Sequence, residues 1–367
     1  MALNGTAQAI LMNYDGLSTE RSVVIPSKTY GSGGANVDMP HAGIPTHVVV
    51  SFAGTLSVKN GTAVGTVTAN PTWPHGIMGP STYMDYQGNT RIYAGGRSLY
   101  LRDLVIGQGM DPKSPYASEA YGASVYSAAI PAGVASSTVT SPVNFSVTLP
   151  IALKSGTALG SYDATVPKGT AQFQLKEAAL TGPYVNSPLT TTGSASVSLT
   201  GQWTFVYYYL DAPSSVPVPV DALSQFHEFY EQNGATDQIV AGGTPEQLLL
   251  TGREYYRVFT ELVANNQFMM MQSTPPIASV SFLVDSSTPT LDQTLQGYLY
   301  TTRRKFNRDL PFILYDFMNK PWSPNAYGSL TTKQTLTNSV TAGSYSQLIT
   351  TRECLFVPSG NLIKAGG

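Results

Sequence analysis

The stretch VVVSFAGTLSV, residues 48–58, carries the clearest structural signal in the chain. Its even-numbered residues are apolar or Gly, with Phe52 the largest, whereas its odd-numbered residues from position 51 onward are Ser, Ala or Thr. An alternation with a period of two places one apolar face on a core and one polar face toward solvent, as in a half-buried β-strand. Asn60-Gly61 follows, and this dipeptide before the β-rich residues 62–69 predicts a hairpin.

The same alternation recurs in three later segments, residues 143–149, 171–175 and 203–209. The last segment places four aromatic residues on one face, namely Trp203, Phe205, Tyr207 and Tyr209. Its other face also carries large residues, so we expect this strand to be covered twice, by a core and by a neighbouring subunit or domain. Many short strands punctuated by Pro and Gly predict an all-β sandwich or barrel.

The composition excludes several classes of protein. The chain has 367 residues, which predicts two or three domains, and 11% of them are charged, against an average of about 25%. A hydrophobic fraction of 42% with a net charge of -2 excludes disorder and argues against broad nucleic-acid binding. The single cysteine, Cys354, excludes a disulfide framework and a Cys-based zinc site within one chain. Residues 1–20 contain no Lys or Arg, so we expect a protein that is made and used without secretion.

Prolines mark the join between two β-rich blocks. Residues 213–219 contain three prolines, which remove backbone donors and stiffen the chain. We therefore predict an N-terminal arm at residues 1–20, a first domain at 21–211, a Pro-rich linker at 212–222, a second domain at 223–357 and a C-terminal tail at 358–367.

One amphipathic helix is predicted in the second block. From Leu291 onward, apolar residues recur at steps of about 3.6 residues, and Pro311 must end the helix. Two N-terminal caps compete, one at Thr288 and one at Thr290. Residues 98–106 fit a helix or a strand. If they form a helix, both blocks share one plan of about four strands, a helix and about four more strands, which indicates two copies of one architecture.

The second block has an order of motifs that resembles a known family. The stretch TTRRKFNRDLP, residues 301–311, leads into an aromatic strand. It is followed by Lys320-Pro321, by Tyr327-Gly328 and by LITTRE at residues 348–353. This order resembles that of the double jelly-roll major capsid proteins of tectivirus-type, membrane-containing icosahedral bacteriophages. Leu310 departs from the pattern, which has an aromatic residue at that place. Similar motifs in chain order extend the resemblance over most of residues 45–357.

The resemblance implies an all-β fold of two jelly-roll β-sandwich barrels in tandem, each with a short inserted helix. It also implies a major capsid protein that self-assembles as homotrimers, with six barrels making one pseudo-hexagonal tile of an icosahedral virion. Expected partners are neighbouring capsomers and other capsid proteins, such as penton and minor proteins, with assembly in the host cytoplasm and no cofactor. Heavy side chains left outside the barrels would form the trimer interface, and the candidates are Trp203, Phe205, Tyr207 and Tyr209.

The strongest charge feature of the sequence is the basic cluster Arg303, Arg304, Lys305 and Arg308. Such a cluster binds DNA phosphates or lipid head groups, or it forms a solvated helix face. In the second case its ion-pair partners are Asp309, Asp316 and neighbouring subunits. We favour the solvated helix face, because a single helical turn is a small footprint for a nucleic acid.

The N-terminal arm lacks the basic residues with which capsid proteins often neutralise a packed genome. We therefore expect no direct contact with nucleic acid and hypothesise an internal viral membrane between this protein and the genome. Ile10, Leu11 and Met12 are the candidates for contact with that membrane or with an adjacent capsomer, as part of a short apolar helix. The alternative is a disordered tail.

Sequence motifs for catalysis are missing. His227-Glu228 lacks the second His of a zinc-protease helix, and neither a Gly-x-Ser-x-Gly elbow nor a phosphate loop is present. We predict that the protein is not an enzyme and has no catalytic, cofactor or metal residues. The alternative to a capsid protein is a β-sandwich module of a viral spike or fibre that binds a receptor or a carbohydrate. A stable trimer that assembles into shells favours the capsid protein, whereas ligand affinity retained in a small oligomer favours the module.

Overall fold

The structure of the chain, a computed structural model, is built mainly from antiparallel β-strands. It describes residues 5–31, 33–106, 129–165, 169–182, 187–234, 238–265, 267–285, 288–307, 309–318, 321–323, 329–340 and 346–356. The chain divides into two compact units, residues 9–219 and residues 220–367, and the described residues before Ala9 group with the second unit. An N-terminal helix, α1 (Gly5–Leu17), precedes the first strand.

The first unit contains ten strands among its described residues. The strands are β1 (Thr19–Thr29), β2 (Gly34–Asp38), β3 (Ile44–Lys59), β4 (Val67–Ala69), β5 (Ser81–Met84), β6 (Thr90–Ala94), β7 (Thr138–Pro150), β8 (Gln172–Lys176), β9 (Leu189–Thr191) and β10 (Ser196–Asp211). The helix α2 covers Gly96–Ile106, and a short 3-10 helix covers His75–Ile77.

The eight principal strands of the first unit lie in two sheets, with four strands of this unit in each. One sheet has the order β1-β10-β3-β7 and the other the order β2-β8-β5-β6, while β4 and β9 pair with each other. Counted along the chain without β4 and β9, these orders are 1-8-3-6 and 2-7-4-5. Strands distant in sequence thus lie side by side in both sheets, which is the Greek-key arrangement of a jelly roll. The helix α2 lies between the fifth and the sixth of these strands.

The second unit contains nine strands among its described residues. The strands are β11 (Phe226–Asn233), β12 (Glu246–Leu248), β13 (Arg253–Ala264), β14 (Gln267–Phe268), β15 (Ile277–Val284), β16 (Thr288–Thr294), β17 (Ile313–Asp316), β18 (Leu330–Leu336) and β19 (Gln347–Phe356). The helices are α3 (Val220–Leu223), α4 (Leu295–Phe306) and a 3-10 helix at Met269–Met271.

The second unit repeats the topology of the first once β14, a short partner of β13, is set aside. Its sheets have the orders β11-β19-β13-β17 and β12-β18-β15-β16, again 1-8-3-6 and 2-7-4-5. The helix α4 lies between the fifth and the sixth strands, as α2 does in the first unit. Both units are therefore jelly rolls, and the predicted all-β fold of two jelly rolls with one inserted helix each is confirmed.

The core of the first unit is built around Trp203 of β10. The ring centroid of Trp203 lies 4.9 Å from that of Phe52 on β3. The indole Nε1 donates a hydrogen bond to Glu177 Oε1 over 3.0 Å. The other oxygen of Glu177 accepts hydrogen bonds from the backbone N–H groups of Gly31 and Gly33. One carboxylate thereby ties the turn between β1 and β2 to the aromatic core.

The core of the second unit combines aromatic packing with buried hydrogen bonds. The ring centroids of Tyr315 on β17 and Phe282 on β15 lie 5.8 Å apart. The Tyr315 hydroxyl donates to the carbonyl oxygen of Ser281 (3.1 Å) and accepts from Gln334 Nε2 (2.9 Å), which links the two sheets. Burial raises the pKa of Tyr315 far above its ordinary value, because a phenolate cannot be solvated there.

Two local predictions are wrong, in both cases because strand pairing takes precedence over a local sequence signal. The strand β3 pairs with β7 and β10, so residues 62–69 do not form a hairpin with it. The helix α4 begins at Leu295, because the residues before it pair with β15 as β16. Its cap is Thr294, whose side chain accepts a hydrogen bond from the Gly297 N–H over 3.3 Å. The weaker candidate at residues 98–106 is helical, as part of α2.

Candidate interaction surfaces

The aromatic residues predicted for the trimer interface lie inside the first unit. Trp203, Phe205 and Tyr207 are all 0% exposed within a single chain, so they cannot reach a neighbouring chain. The reason is that β10 is a central strand, and these three side chains point toward the other sheet of their own barrel. Tyr209 is half-buried, with its ring 6.0 Å from that of Tyr207. The predicted alternation along β10 is present, but the aromatic side of the strand faces the core and the other side faces outward.

The outward side of the sheet β1-β10-β3-β7, here named the outer sheet face, is uncharged between its two ends. The strand registers place on it Ser22, Val24, His47, Val49, Ser51, Ala53, Thr55, Ser57, Thr140, Pro142, Asn144, Ser146, Thr148, Ser198, Thr200, Gln202, Thr204, Val206 and Tyr208. Most of these side chains are exposed or half-buried. Charged residues follow only at the ends, with Glu20 at one and Lys59 at the other.

A row of three valines crosses the outer sheet face. Val24, Val206 and Val49 are direct register partners on β1, β10 and β3. Val24 is 74% exposed, the highest value for a large apolar side chain among the described residues. Beside this row, the hydroxyl oxygens of Ser51 and Ser146 lie 2.8 Å apart on β3 and β7. The face therefore offers aliphatic groups and hydroxyl groups to whatever covers it.

One end of the outer sheet face is closed by a stacked pair of rings. His47 and Tyr208 have ring centroids 4.4 Å apart and planes inclined by only 7°. Thr46 Oγ1 donates a hydrogen bond to Glu20 Oε1 (2.9 Å) and lies 3.0 Å from His47 Nδ1. Burial, with a smaller contribution from Arg102, lowers the pKa of His47 to about 4. The imidazole is therefore neutral at neutral pH and adds no charge to this face.

Two members of the basic cluster at the end of α4, Arg303 and Lys305, form ion pairs, and a third, Arg304, is exposed. Arg303 Nε and Nη2 donate to the two carboxylate oxygens of Asp309 over 2.5 and 2.7 Å. Lys305 Nζ donates to Asp316 Oδ2 over 2.6 Å. The fourth member of the cluster, Arg308, lies outside the described residues. Both ion pairs agree with the interpretation of a solvated helix face. Their partners are the two predicted carboxylates, Asp309 and Asp316.

Lys305 is also the first member of a charge ladder that crosses one sheet of the second unit. Asp316 Oδ1 lies 3.8 Å from Arg257 Nε, Arg257 Nη1 lies 2.7 Å from Glu353 Oε2, and Glu353 Oε1 lies 3.3 Å from His227 Nε2. The ladder thus runs from α4 through β17, β13 and β19 to β11. Sequence analysis missed it because these strands are far apart in the chain. Charged residues within aromatic strands were its only visible sign.

The N-terminal segment forms the helix α1, in agreement with the predicted short helix. Ala7, Leu11 and Tyr14 are its buried side, at 5%, 8% and 5% exposure. Leu11 is therefore not available to a membrane or a neighbouring capsomer, which corrects its assignment as a contact residue. Met12 is 68% exposed and Ile10 is half-buried, so these two candidates remain accessible. The spacing of the buried residues explains the difference, since positions i, i+4 and i+7 share one helix face.

Among the described residues, no group of three or more His, Cys, Asp or Glu side chains is arranged to hold a metal ion. Within the same residues, no helix has the length and the apolar character needed to cross a membrane. Cys354 is buried, and desolvation raises its pKa well above the ordinary value of a thiol. A thiol in this state is a poor nucleophile.

The sequence matches no protein-family model and no curated protein. Solved structures are similar to it in fold. The crystal structure of the major capsid protein of STIV, the Sulfolobus turreted icosahedral virus, has a TM-score of 0.66 at 12% identity and covers 95% of this chain and 99% of that chain. The major capsid protein of bacteriophage PM2 has a TM-score of 0.50 at 10% identity and covers 94% and 99%. The PBCV-1 virus capsid has a TM-score of 0.53 at 9% identity and covers 92% and 93%.

These similarities extend over nearly the whole length of both chains in each comparison. They confirm the double jelly-roll fold that the sequence motifs predicted, in the form found in capsid proteins of icosahedral viruses. At 9–12% identity they concern the fold alone. The narrower resemblance to tectivirus-type bacteriophages stays a prediction.

Proposed function

We propose that this chain is a major capsid protein that builds the shell of an icosahedral virus by self-assembly. The observation that carries the proposal is the duplication of one jelly roll within the chain. Both units have the strand orders 1-8-3-6 and 2-7-4-5, and both have a helix inserted after the fifth strand. The similarity to viral capsid proteins over 95% of this chain and 99% of the STIV protein supports it.

The proposed building block is a homotrimer. Three chains bring six barrels together, and two similar barrels per chain let a threefold assembly approximate a hexagon, a shape that packs edge to edge over the faces of an icosahedral shell. Neighbouring trimers, and penton and minor capsid proteins at special positions, are the further partners. Many weak contacts per tile allow misplaced tiles to leave and still hold the completed shell together.

The proposed role is structural, without substrate turnover. The protein acts in the virion as a surface that binds copies of itself, after assembly in the host cytoplasm. Its low charge density, 11% of residues, supports wide protein–protein contacts, because charged residues are depleted in the cores of such interfaces.

We further propose that the shell encloses an internal membrane and that α1 faces it. Residues 1–20 contain no Lys or Arg to bind a packed genome, which supports a separating layer. The accessible apolar side chains of α1 include Met12 and Leu17, at 68% and 54% exposure. Two such side chains supply a weak contact and no anchor, so the proposed membrane contact depends on many copies acting together.

Size-exclusion chromatography with light scattering tests the building block. A mass of about three times 39.1 kDa, and particles with a hexagonal outline in negative-stain microscopy, are expected. A chain that stays monomeric at micromolar concentration would overturn the trimer. A trimer that binds a receptor or a glycan, is scarce in purified virions and forms no shell would favour the spike or fibre module instead.

A further inference from the structure

We propose that the outer sheet face of the first unit is covered by a second copy of this chain in the trimer. The inference rests on the proposed function, and it names the surface that the trimer uses. Sequence analysis placed the interface on the aromatic side of β10, which the structure assigns to the core. The opposite side of the same strand is the one that remains accessible.

The chemistry of the outer sheet face favours burial against protein. Desolvating an ionised side chain is costly, whereas hydroxyl and amide groups lose little if they find new hydrogen-bond partners. Four adjacent strands contribute no Asp, Glu, Lys or Arg to this face between Glu20 at one end and Lys59 at the other. An uncharged centre with a charged rim is the composition of a protein–protein interface.

The valine row gives the face an apolar centre. Val24, Val206 and Val49 are adjacent across three strands, and Val24 is 74% exposed in the single chain. The size of the face also fits a stable contact. Strands of 11 to 16 residues in a four-stranded sheet give roughly 800–900 Å², from about 3.3 Å per residue and about 4.8 Å between strands. A standard interface buries about 800 Å² on each partner.

The second unit provides a comparison within the same chain. The topologically equivalent face of its sheet carries Phe229, Phe259 and Glu353, which are at most 2% exposed. If the six barrels of a trimer occupy similar places, equivalent faces need equivalent cover. The outer sheet face of the first unit is then the one that another copy of the chain must cover. Around a threefold axis this contact is heterologous, so the face meets a different surface of the next copy, and each trimer contains three such contacts.

Lysine substitutions on the outer sheet face test the inference. Val24→Lys and Thr204→Lys place a charge at exposed strand positions of the face. The matched control is Thr68→Lys, at an exposed position of β4 outside this sheet. We expect the double variant Val24→Lys/Thr204→Lys to fold, with an unchanged circular dichroism spectrum, and to raise the trimer dissociation constant at least ~100-fold. The control variant should associate like the wild type.

Cysteine labelling gives a second measurement that does not depend on weakening the trimer. The native Cys354 is buried, so Thr204→Cys and Thr68→Cys each introduce one accessible thiol. Maleimide should react slowly with the Thr204→Cys trimer and rapidly after dilution below its dissociation constant. The Thr68→Cys protein should react rapidly in both states.

The outcomes separate the two proposals. A monomeric wild type overturns the trimer and the inference together. A wild-type trimer whose Thr204→Cys variant reacts as fast as the Thr68→Cys control, and whose lysine variants associate normally, overturns the inference and leaves the capsid role intact. Protection that arises only in assembled shells assigns the face to contacts between trimers and also overturns the inference.

Discussion

Arg257 Nη1 donates a hydrogen bond to Glu353 Oε2 over 2.7 Å, across the neighbouring strands β13 and β19. The side chain of Glu353 is 0% exposed and that of Arg257 is 11% exposed, so this pair is shielded from water. The same carboxylate lies 3.3 Å from His227 on β11, and the same guanidinium lies 3.8 Å from Asp316 on β17. Through these contacts, one ion pair links side chains from all four neighbouring strands β11, β19, β13 and β17.

Breaking this pair is expected to destabilise the second unit. Removal of one partner takes away the shortest ion-pair contact of the other, a charge shielded from water, which is expected to cost about 3–5 kcal/mol. Glu353→Gln and Arg257→Met should therefore each lower the free energy of unfolding by several times RT, measured by urea denaturation with tryptophan fluorescence. The double variant should lose less than the sum of the two single variants, because it removes both shielded charges together.

Lys333 and Glu246 supply the matched control for this prediction. They form an ion pair of similar length, 2.7 Å, but their side chains are 31% and 39% exposed. Such a pair contributes about 0–1 kcal/mol, so Lys333→Met should change the unfolding midpoint little. Equal losses for Lys333→Met and Arg257→Met would contradict a special role of the shielded pair.

Sequence reasoning succeeded for local periodicity and failed for partners distant in the chain. The alternation at residues 48–58 predicted β3, but Asn60-Gly61 did not start a hairpin. Asn60 Oδ1 instead accepts a hydrogen bond from the Gly65 N–H over 2.8 Å, and both edges of β3 are occupied by β7 and β10. Along β10, the pattern showed two faces but could not tell which faces the core. Which face is buried depends on the sheet that packs against the strand, and in this fold Trp203 lies on the buried face.

Trp203→Phe separates a core role from an interface role. The substitution removes ring volume and the hydrogen bond to Glu177, so we expect a loss of about 1–3 kcal/mol in the free energy of unfolding. The trimer dissociation constant should stay unchanged, because the ring is 0% exposed within one chain. Sedimentation velocity at several concentrations measures the association, and urea titration measures the stability. A trimer that dissociates while the subunit remains as stable as wild type would return Trp203 to the interface.

Acid is expected to destabilise the first unit through two buried histidines. Burial lowers the pKa of His47 to about 4 and that of His75 to about 3, against 6.5 in the unfolded chain. Between pH 6.5 and pH 4 the unfolded state binds more protons than the folded state. The contribution of both residues is therefore fully present above pH 6.5; that of His47 is lost as the pH falls to about 4, and that of His75 as the pH falls to about 3. At about 1.4 kcal/mol per pKa unit, each histidine has removed on the order of 3 kcal/mol by pH 4.

Phenylalanine substitutions check the assignment of this acid sensitivity. His47 stacks on Tyr208 at 4.4 Å and His75 stacks on Tyr100 at 3.9 Å, so a phenyl ring keeps each stack while losing the titration. Urea midpoints of His47→Phe and His75→Phe, measured from pH 7.5 to pH 4, should fall less steeply than those of the wild type. His41→Phe, at an exposed position, should follow the wild-type curve. Parallel curves for all four proteins would assign the acid sensitivity to other groups.

The start of α4 distinguishes the structural cap from the two caps that the sequence predicted. Thr294 Oγ1 accepts a hydrogen bond from the Gly297 N–H, whereas Thr290 belongs to the strand β16 before the helix. Thr294→Ala should therefore lower the free energy of unfolding by about 1 kcal/mol, the usual cost of losing an N-cap, while Thr294→Ser should preserve the bond. Thr290→Ala is the comparison, and it should change the stability by less than about 0.5 kcal/mol, because Thr290 is exposed. Hydrogen exchange at the amide of Gly297 reports the cap directly, since it should become faster in Thr294→Ala and stay slow in Thr290→Ala. Faster exchange in Thr290→Ala alone would move the start of the helix back into residues 288–294 and contradict the pairing of β16 with β15.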